Sequence, residues 1–227
     1  MVCCIGRALA LAATMNPSPW DTEMLDQQHF LIKKQIASLK TADAYDIFNP
    51  KTGKQVGQAR EVVSRLVKVL RLFISKKMMP LTIEVREHPE ESLVFYLRKP
   101  VGFVWETVDV FDAEGHQLGY CKCKLLALGS GFWVYDKNGK QFAEVKGNWT
   151  GWEFRFLTPD GHELGTISKK WSGLLQELFT SADNYVVSIA QDLAEQPIAK
   201  MLLLAAALAI DAVYYEGRRG GSIGLGG

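Results

Sequence analysis

Apolar and polar residues alternate with a period of two over much of the chain, which is the pattern of half-buried β-strands. Four segments share one arrangement, in which apolar residues precede a polar turn that closes on a glycine. They are IFNPKTGKQVG (47–57), VFDAEGHQLG (110–119), VYDKNGKQFA (134–143) and FLTPDGHELG (156–165). Because glycine supplies the positive φ that a short hairpin loop requires, each segment is predicted to be a β-hairpin turning at Gly53, Gly115, Gly139 or Gly161.

A fifth hairpin is predicted over residues 81–100, with its turn at 88–90. An opening strand at 30–36 and another near 121–126 bring the total to roughly ten to twelve strands. So many short antiparallel strands favour a closed barrel over an open sheet, because closure leaves no unpaired edge. The predicted fold class is therefore mainly β, a closed antiparallel barrel.

One segment breaks this alternation. Residues 61–75 place apolar side chains at i, i+3, i+4 and i+7, which predicts an amphipathic surface helix. Only Glu61 supplies an acidic charge within it, so its polar face is interpreted as a binding surface for anionic phospholipid headgroups. An ordinary solvated face is the alternative. The candidate lipid-binding residues are Arg65, Lys68, Arg71, Lys76 and Lys77.

A second helix is predicted within residues 197–216, whose continuous apolar run covers 201–210. A membrane-spanning helix needs about 20 apolar residues, whereas a run of 10–14 is typical of a buried helix. The length therefore favours a thin, alanine-rich helix through the middle of the barrel, with a membrane span as the alternative. Asp211 interrupts the apolar run and is expected to pair with a barrel group, or else to mark a polar path.

Composition and charge narrow the function. The chain has 227 residues, 48% of them hydrophobic, and a net charge of +1, which disfavours a nucleic-acid binder. The charge is unevenly distributed: residues 1–80 carry 12 basic and 6 acidic side chains, a net of +6, and residues 81–227 carry 14 and 19, a net of −5. If the chain has an acidic partner, that partner is expected to bind the first third of the chain. No nucleophile elbow, phosphate loop or dinucleotide fingerprint is present in the sequence, so an enzyme is not expected.

The C-terminal quarter resembles the phospholipid scramblase family. That family carries an I-x-K-x-W-[ST]-G-L-L-x-E stretch, then an F-T-x-A-D-N segment and a closing apolar helix. The matching residues are Ile167, Lys169, Trp171, Ser172, Gly173, Leu174, Leu175, Glu177, Phe179, Thr180, Ala182, Asp183 and Asn184, with Asp211 and Glu216 on the closing helix. The resemblance extends over roughly residues 28–216.

The resemblance implies a fold like that of the tubby C-terminal and LURP-one-like domains, a barrel of about twelve strands around a hydrophobic C-terminal helix. It also implies a membrane-associated function, the ATP-independent movement of phospholipids in both directions or the binding of phospholipids, at the cytoplasmic face of a membrane. A soluble lipid- or protein-binding module with the same barrel is the alternative. The expected organisation is a flexible lead-in over residues 1–27, one barrel domain over 28–216 and a disordered glycine-rich tail over 217–227.

The sequence also offers a candidate calcium site and two candidate palmitoylation sites. Calcium binding in the family lies near the segment written here as SADNYVVSIAQD (181–192), where the candidate ligands are Asp183, Asn184 and Asp192. Calcium takes 6–8 oxygen ligands, and an acidic residue usual in this loop is replaced by Ser181, so only weak binding is expected. Cys3 and Cys4 are candidates for palmitoylation.

Overall fold

The computed structural model describes residues 22–35, 42–63, 79–100, 106–124, 131–148, 151–170 and 184–215. These residues form a closed antiparallel barrel in which each strand pairs with its neighbours in sequence and the first strand pairs with the last. The strands are β1 (His29–Lys34), β2 (Ala44–Phe48), β3 (Gln55–Glu61), β4 (Leu81–Glu87), β5 (Leu93–Lys99), β6 (Glu106–Asp112), β7 (Gln117–Lys124), β8 (Gly131–Asp136), β9 (Gln141–Asn148), β10 (Glu153–Leu157), β11 (Glu163–Ser168) and β12 (Asn184–Ile189). The predicted barrel is confirmed.

The predicted hairpins form β2–β3, β4–β5, β6–β7, β8–β9 and β10–β11. The four turn glycines have φ values between 72° and 91°, a region that favours glycine. The polar residue that opens each turn satisfies backbone N–H groups within it. Asp136 Oδ1, for example, accepts hydrogen bonds from the amides of Asn138 and Lys140, both at 2.9 Å. Local sequence therefore sets where the chain reverses.

The barrel is filled by one helix, α1 (Pro197–Ala209), which continues as a π-helical turn over Ile210–Tyr215. A short 3₁₀ helix (Gln191–Leu193) leads into it from β12. Every residue from Ala199 to Ala212 is buried, Asp211 included, and none is more than 6% exposed. Helix α1 contacts β5, β6, β7, β8 and β12. The buried central helix is thus confirmed, and its alanines let the surrounding strands approach closely.

The two ends of the barrel differ in the connections between strands. The "hairpin end" holds the turns 49–54, 88–92, 113–116, 137–140 and 158–162 together with the start of α1. The "loop end" holds the last residues of β1, β3, β5, β7, β9 and β11 and the first residues of the even-numbered strands, together with the end of α1. This assignment follows from strand direction alone, because antiparallel neighbours alternate in direction.

Two predicted boundaries need correction. The opening strand ends at Lys34 instead of residue 36. The predicted surface helix does not begin at 61, since Glu61 ends β3, where it pairs with Ile83 and its amide donates to the Asp43 carbonyl. These backbone hydrogen bonds hold Glu61 in the sheet. The remainder of the predicted surface helix, from residue 64 onward, lies outside the described residues.

Candidate functional site

The loop end contains a buried polar cluster around Asp211, on the π-helical turn that follows α1. Asp211 Oδ2 accepts a hydrogen bond from Lys34 Nζ at 2.9 Å and another from Tyr45 Oη at 2.7 Å. Lys34 Nζ also lies 3.7 Å from Asp43 Oδ1. The carboxylate in the apolar helix is therefore paired, as predicted, and it joins the helix end to β1 and β2.

Two tyrosines close this cluster. Burial, and secondarily the carboxylates of Asp211 and Asp43, raise the pKa of Tyr45 well above its usual value. The same causes raise the pKa of Tyr185. The Tyr185 ring packs on Trp152 with centroids 4.9 Å apart, and its hydroxyl has no hydrogen-bond partner among the described residues. Both hydroxyls therefore stay protonated beside the carboxylates.

The five sequence-predicted lipid-binding residues lie outside the described residues, as do Cys3 and Cys4. These five are Arg65, Lys68, Arg71, Lys76 and Lys77. They belong to the connection between β3 and β4, and the two strand ends that it joins are at the loop end of the barrel. Where this connection begins, Val62 is 52% exposed, which makes it one of the few large apolar side chains open to solvent in the described part of the chain. Lipid binding by the connection stays a prediction.

Two of the three candidate calcium ligands, Asn184 and Asp192, lie far apart. Asn184 begins β12 at the loop end, where it is buried, whereas Asp192 follows β12 at the hairpin end. At the rise of an extended strand, their separation is on the order of 20 Å. The Asp192 carboxylate instead contacts His162 Nε2 at 2.8 Å. Asp183 lies outside the described residues, so its part in calcium binding stays a prediction.

A cleft of about 490 Å³ opens at the hairpin end. Three segments enclose it: the chain before β1, the β2–β3 turn, and the 3₁₀ helix with the turn that follows. Its charged or titratable lining residues are Asp26, His29, Lys51 and Glu195, and Gln28 lines it as well. This cleft cannot be recognised in the sequence, because its three walls are far apart in the chain and no motif marks them.

A buried lysine lies beside this cleft. Lys200, in the first turns of α1, is 2% exposed, and its Nζ donates to the carbonyl oxygen of Leu25. Burial lowers the pKa of Lys200, while the nearby carboxylates of Asp26 and Glu195 act in the opposite direction. Burial, and then the charge of Lys51, lower the pKa of His29. The carboxylates of Asp26 and Glu195 thus oppose the effect of burial on the pKa of Lys200, whereas the charge of Lys51 adds to the effect of burial on the pKa of His29.

Two histidines lie in turns, and two cysteines lie in the core. His116 and His162 are exposed turn residues, and His116 hydrogen-bonds to the Asp112 carboxylate at 2.9 Å. Cys121 and Cys123 are buried, and burial raises the pKa of Cys121. The Cys121 thiol is therefore protonated at neutral pH and is a poor nucleophile.

No helix among the described residues combines the length and apolar character needed to cross a bilayer. The apolar run of α1 that raised this alternative in the sequence is enclosed by strands instead. The length of α1 is consistent with its burial in the barrel, since a helix of 13 residues is about 20 Å long, whereas the apolar core of a bilayer is about 30 Å thick.

The sequence profile of the Scramblase family matches residues 11–217, nearly the whole chain. The chain belongs to the Scramblase family. Phospholipid scramblase 2 from Bos taurus is 39% identical over 61 residues, which are 27% of this chain and 20% of that protein. The matched segment therefore spans a fifth of the length of this curated relative. A crystal structure of an Arabidopsis thaliana protein aligns with 79% of this chain and 91% of its own, at 12% identity and a TM-score of 0.42.

Family membership agrees with the resemblance indicated by the C-terminal motif, and the structure has the barrel and the central helix that this resemblance implies. The hairpin repeats form the wall of the barrel, and the apolar C-terminal segment fills it. Of the quoted motif residues, Ile167 is buried in β11, and Asn184 begins β12. Residues 171–183, which contain most of the motif, lie outside the described residues.

Proposed function

We propose that this protein is a membrane-associated phospholipid scramblase, which binds phospholipids and moves them between leaflets in both directions without ATP. The observation that carries the proposal is membership of the Scramblase family over residues 11–217. The proposed partner is an anionic phospholipid surface at the cytoplasmic face of a membrane.

The filled barrel limits where lipid can bind. Side chains of α1 such as Leu203, Ala206 and Leu208 are fully buried against the strands, so the interior is packed and not a channel for acyl chains. Lipid contact is therefore assigned to the ends and outer face of the barrel. The connection between β3 and β4 favours the loop end as the place of lipid contact, since the basic residues Arg65, Lys68 and Arg71 belong to this connection.

A binding module without transport activity is the second candidate. The burial of α1 favours it, because moving a polar headgroup through the bilayer core needs a polar path, and the described part of the chain offers no membrane-spanning helix to line one. This candidate keeps the same anionic lipid partner and removes only the transport step.

Reconstitution into vesicles that carry a fluorescent phospholipid in both leaflets tests the proposal. A membrane-impermeant quencher bleaches only the outer-leaflet probe unless lipids exchange. We expect the wild-type protein to make more than the outer half of the probe accessible, with protein-free vesicles as the baseline. Exchange no faster than in protein-free vesicles, with and without calcium, by protein that still sediments with anionic vesicles would reject transport in favour of the binding module.

A further inference from the structure

The β6–β7 turn at the hairpin end brings together three side chains of the kinds that bind metals. Asp112 ends β6, and Glu114 and His116 lie in the turn that follows it. Each of the three offers one ligand atom, and these atoms all lie within 4.8 Å of one another. No other such trio of His, Cys, Asp or Glu occurs in the part of the chain that the structure describes.

Asp112 carries a buried carboxylate that no lysine or arginine of the described residues neutralises. It is 2% exposed, and its side chain hydrogen-bonds to His116 alone: Oδ1 accepts from the His116 amide at 2.7 Å, and Oδ2 accepts from the ring Nδ1 at 2.9 Å. The buried Asp211, in contrast, pairs with Lys34. Buried charges in proteins are usually paired or bound to metals. A metal ion beside Oδ2 would supply the positive charge that Asp112 lacks.

Turn formation accounts for the aspartate of this trio but not for its other two members. The β8–β9 turn has the same backbone hydrogen bonds, and Asp136 Oδ1 there accepts from the Lys140 amide at 2.9 Å. Asn138 and Lys140 occupy the positions that correspond to Glu114 and His116. A turn of this kind therefore forms without a second carboxylate and without an imidazole.

The geometry of the turn suits coordination. Bonds from zinc to nitrogen or oxygen are about 2.0–2.2 Å long, so neighbouring ligand atoms on one ion lie roughly 3 Å apart. Asp112 Oδ2 and His116 Nδ1 are already 2.9 Å apart. On metal binding the Nδ1 proton of this hydrogen bond leaves, and the neutral ring carries its proton on Nε2 instead. The His116 side chain is 78% exposed and Glu114 is exposed, so an ion can enter from solvent.

The donor set selects the class of metal. An imidazole nitrogen favours zinc and other first-row transition ions, whereas Ca²⁺ and Mg²⁺ are bound through oxygen. Three protein ligands on an exposed turn leave a coordination position for water. None of the three belongs to segment 181–192, in which the candidate calcium ligands lie.

We propose that Asp112, Glu114 and His116 bind a divalent transition metal ion, represented by Zn²⁺, with water completing its coordination. The bound ion neutralises the buried carboxylate and fixes the β6–β7 turn at the hairpin end. The inference does not rely on the proposed function, because it concerns only the ligand atoms of this turn.

Titration of Zn²⁺ into the full chain tests the proposal. Cys3 and Cys4 are replaced by serine beforehand, because thiolates also bind zinc. The chain has four histidines, so two-dimensional NMR of the imidazole rings can follow each of them. We expect saturable changes at His116 on addition of one equivalent of Zn²⁺, and competition with a chromophoric chelator gives the affinity. A large excess of Ca²⁺ or Mg²⁺ should not displace the zinc.

The two exposed ligands can be exchanged for the residues of the β8–β9 turn, which keeps a turn that is known to form. Glu114→Asn and His116→Lys should each weaken Zn²⁺ binding at least about tenfold, because loss of a group that only orients a ligand already costs about 10–100-fold. The matched control is His162→Lys. His162 is also an exposed turn histidine bonded to a carboxylate, that of Asp192 at 2.8 Å, but it belongs to no such trio among the described residues. This control should bind zinc as the wild type does.

Four results would overturn the proposal. The first is the absence of saturable changes at His116 in protein whose amide spectrum shows that it is folded. The second is Glu114→Asn binding as tightly as the wild type, which would leave only the Asp112–His116 pair. An equal loss of affinity in His162→Lys would assign the zinc to the other turn. Displacement of Zn²⁺ by Ca²⁺ at comparable concentrations would exclude the nitrogen ligand.

Discussion

Asp211 at the end of the central helix and Lys34 at the end of β1 form a largely buried ion pair, with 2.9 Å between Oδ2 and Nζ, although 177 positions separate them in the chain. Tyr45 donates a second hydrogen bond to the same carboxylate oxygen. At the loop end, the pair links the helix that fills the barrel to β1, the strand that pairs with β12 to close the barrel wall.

Removal of the Asp211 carboxylate should destabilise the fold. We expect Asp211→Ala to lower the free energy of unfolding by about 3 kcal/mol, because it removes the carboxylate that Lys34 and the buried Tyr45 share. Asp211→Asn, which keeps an acceptor for Tyr45, should cost less. Urea unfolding followed by tryptophan fluorescence measures both, and the exposed pair Lys54–Glu23 is the control: Lys54→Gln should cost less than about 1 kcal/mol. Equal losses at the two pairs would contradict the structure.

The two buried tyrosines should respond differently to loss of the hydroxyl. Tyr45→Phe should cost about 1.5–3 kcal/mol at neutral pH, because its hydroxyl donates to a charged acceptor. Tyr185→Phe should leave stability unchanged or slightly raised, because its hydroxyl has no partner among the described residues. Thermal and urea unfolding of both variants check this contrast, and a larger loss for Tyr185→Phe would contradict it.

The same tyrosines predict a loss of stability in alkali. Their pKa values are raised in the folded protein, so the unfolded chain releases protons near pH 10 that the folded chain keeps. The contribution of the two protonated tyrosines to the free energy of unfolding is complete below pH 10. It decreases as the pH rises above 10, because the folded state then binds more protons than the unfolded state. Unfolding free energies measured from pH 8 to 11 should fall less steeply in each Phe variant than in the wild type. Parallel curves for all three proteins would exclude the tyrosines as the cause.

Gly119 should tolerate no side chain. A Cβ at this position of β7 would overlap the Tyr135 carbonyl oxygen and press on Cδ2 of Leu202, at 3.0 Å, so strand and helix would have to separate. We expect Gly119→Ala to cost about 3 kcal/mol, at the upper end of overpacking effects. Gly161→Ala is the comparison, because that turn has open space and only a positive φ of 91°, which costs about 1 kcal/mol. The two unfolding midpoints give the order directly.

The basic connection between β3 and β4 should control binding to anionic membranes. Reversal of Arg65, Lys68 and Arg71 to Glu should abolish sedimentation with anionic vesicles without changing the thermal midpoint. Added salt should release the wild type, because screening acts over about 8 Å at physiological ionic strength. The control reverses three lysines of the β8–β9 hairpin, Lys137, Lys140 and Lys146, for the same change in net charge. A wild type that ignores anionic vesicles even at low salt would make this connection ordinary surface.

The sequence by itself determined the local elements of this protein. Alternation of apolar residues and the glycines at 53, 115, 139 and 161 located the hairpins, because a turn depends on the conformational freedom of a few adjacent residues. The length and alanine content of residues 201–210 were enough to favour a buried helix over a membrane span. Asp211 was recognisable as a group that needed a partner, since an unpaired carboxylate in an apolar helix is costly.

The tertiary structure decided which residues meet. Lys34 and Tyr45 became the partners of Asp211, and Asp26, Lys51 and Glu195 became one cleft, only when β1 paired with β12 and closed the barrel. The extended conformation of β12 separates Asn184 from Asp192, although the sequence had grouped them as candidate ligands of one ion. Contacts between residues far apart in the chain follow from strand register and from the direction in which the helix fills the barrel, and neither is encoded in a local pattern.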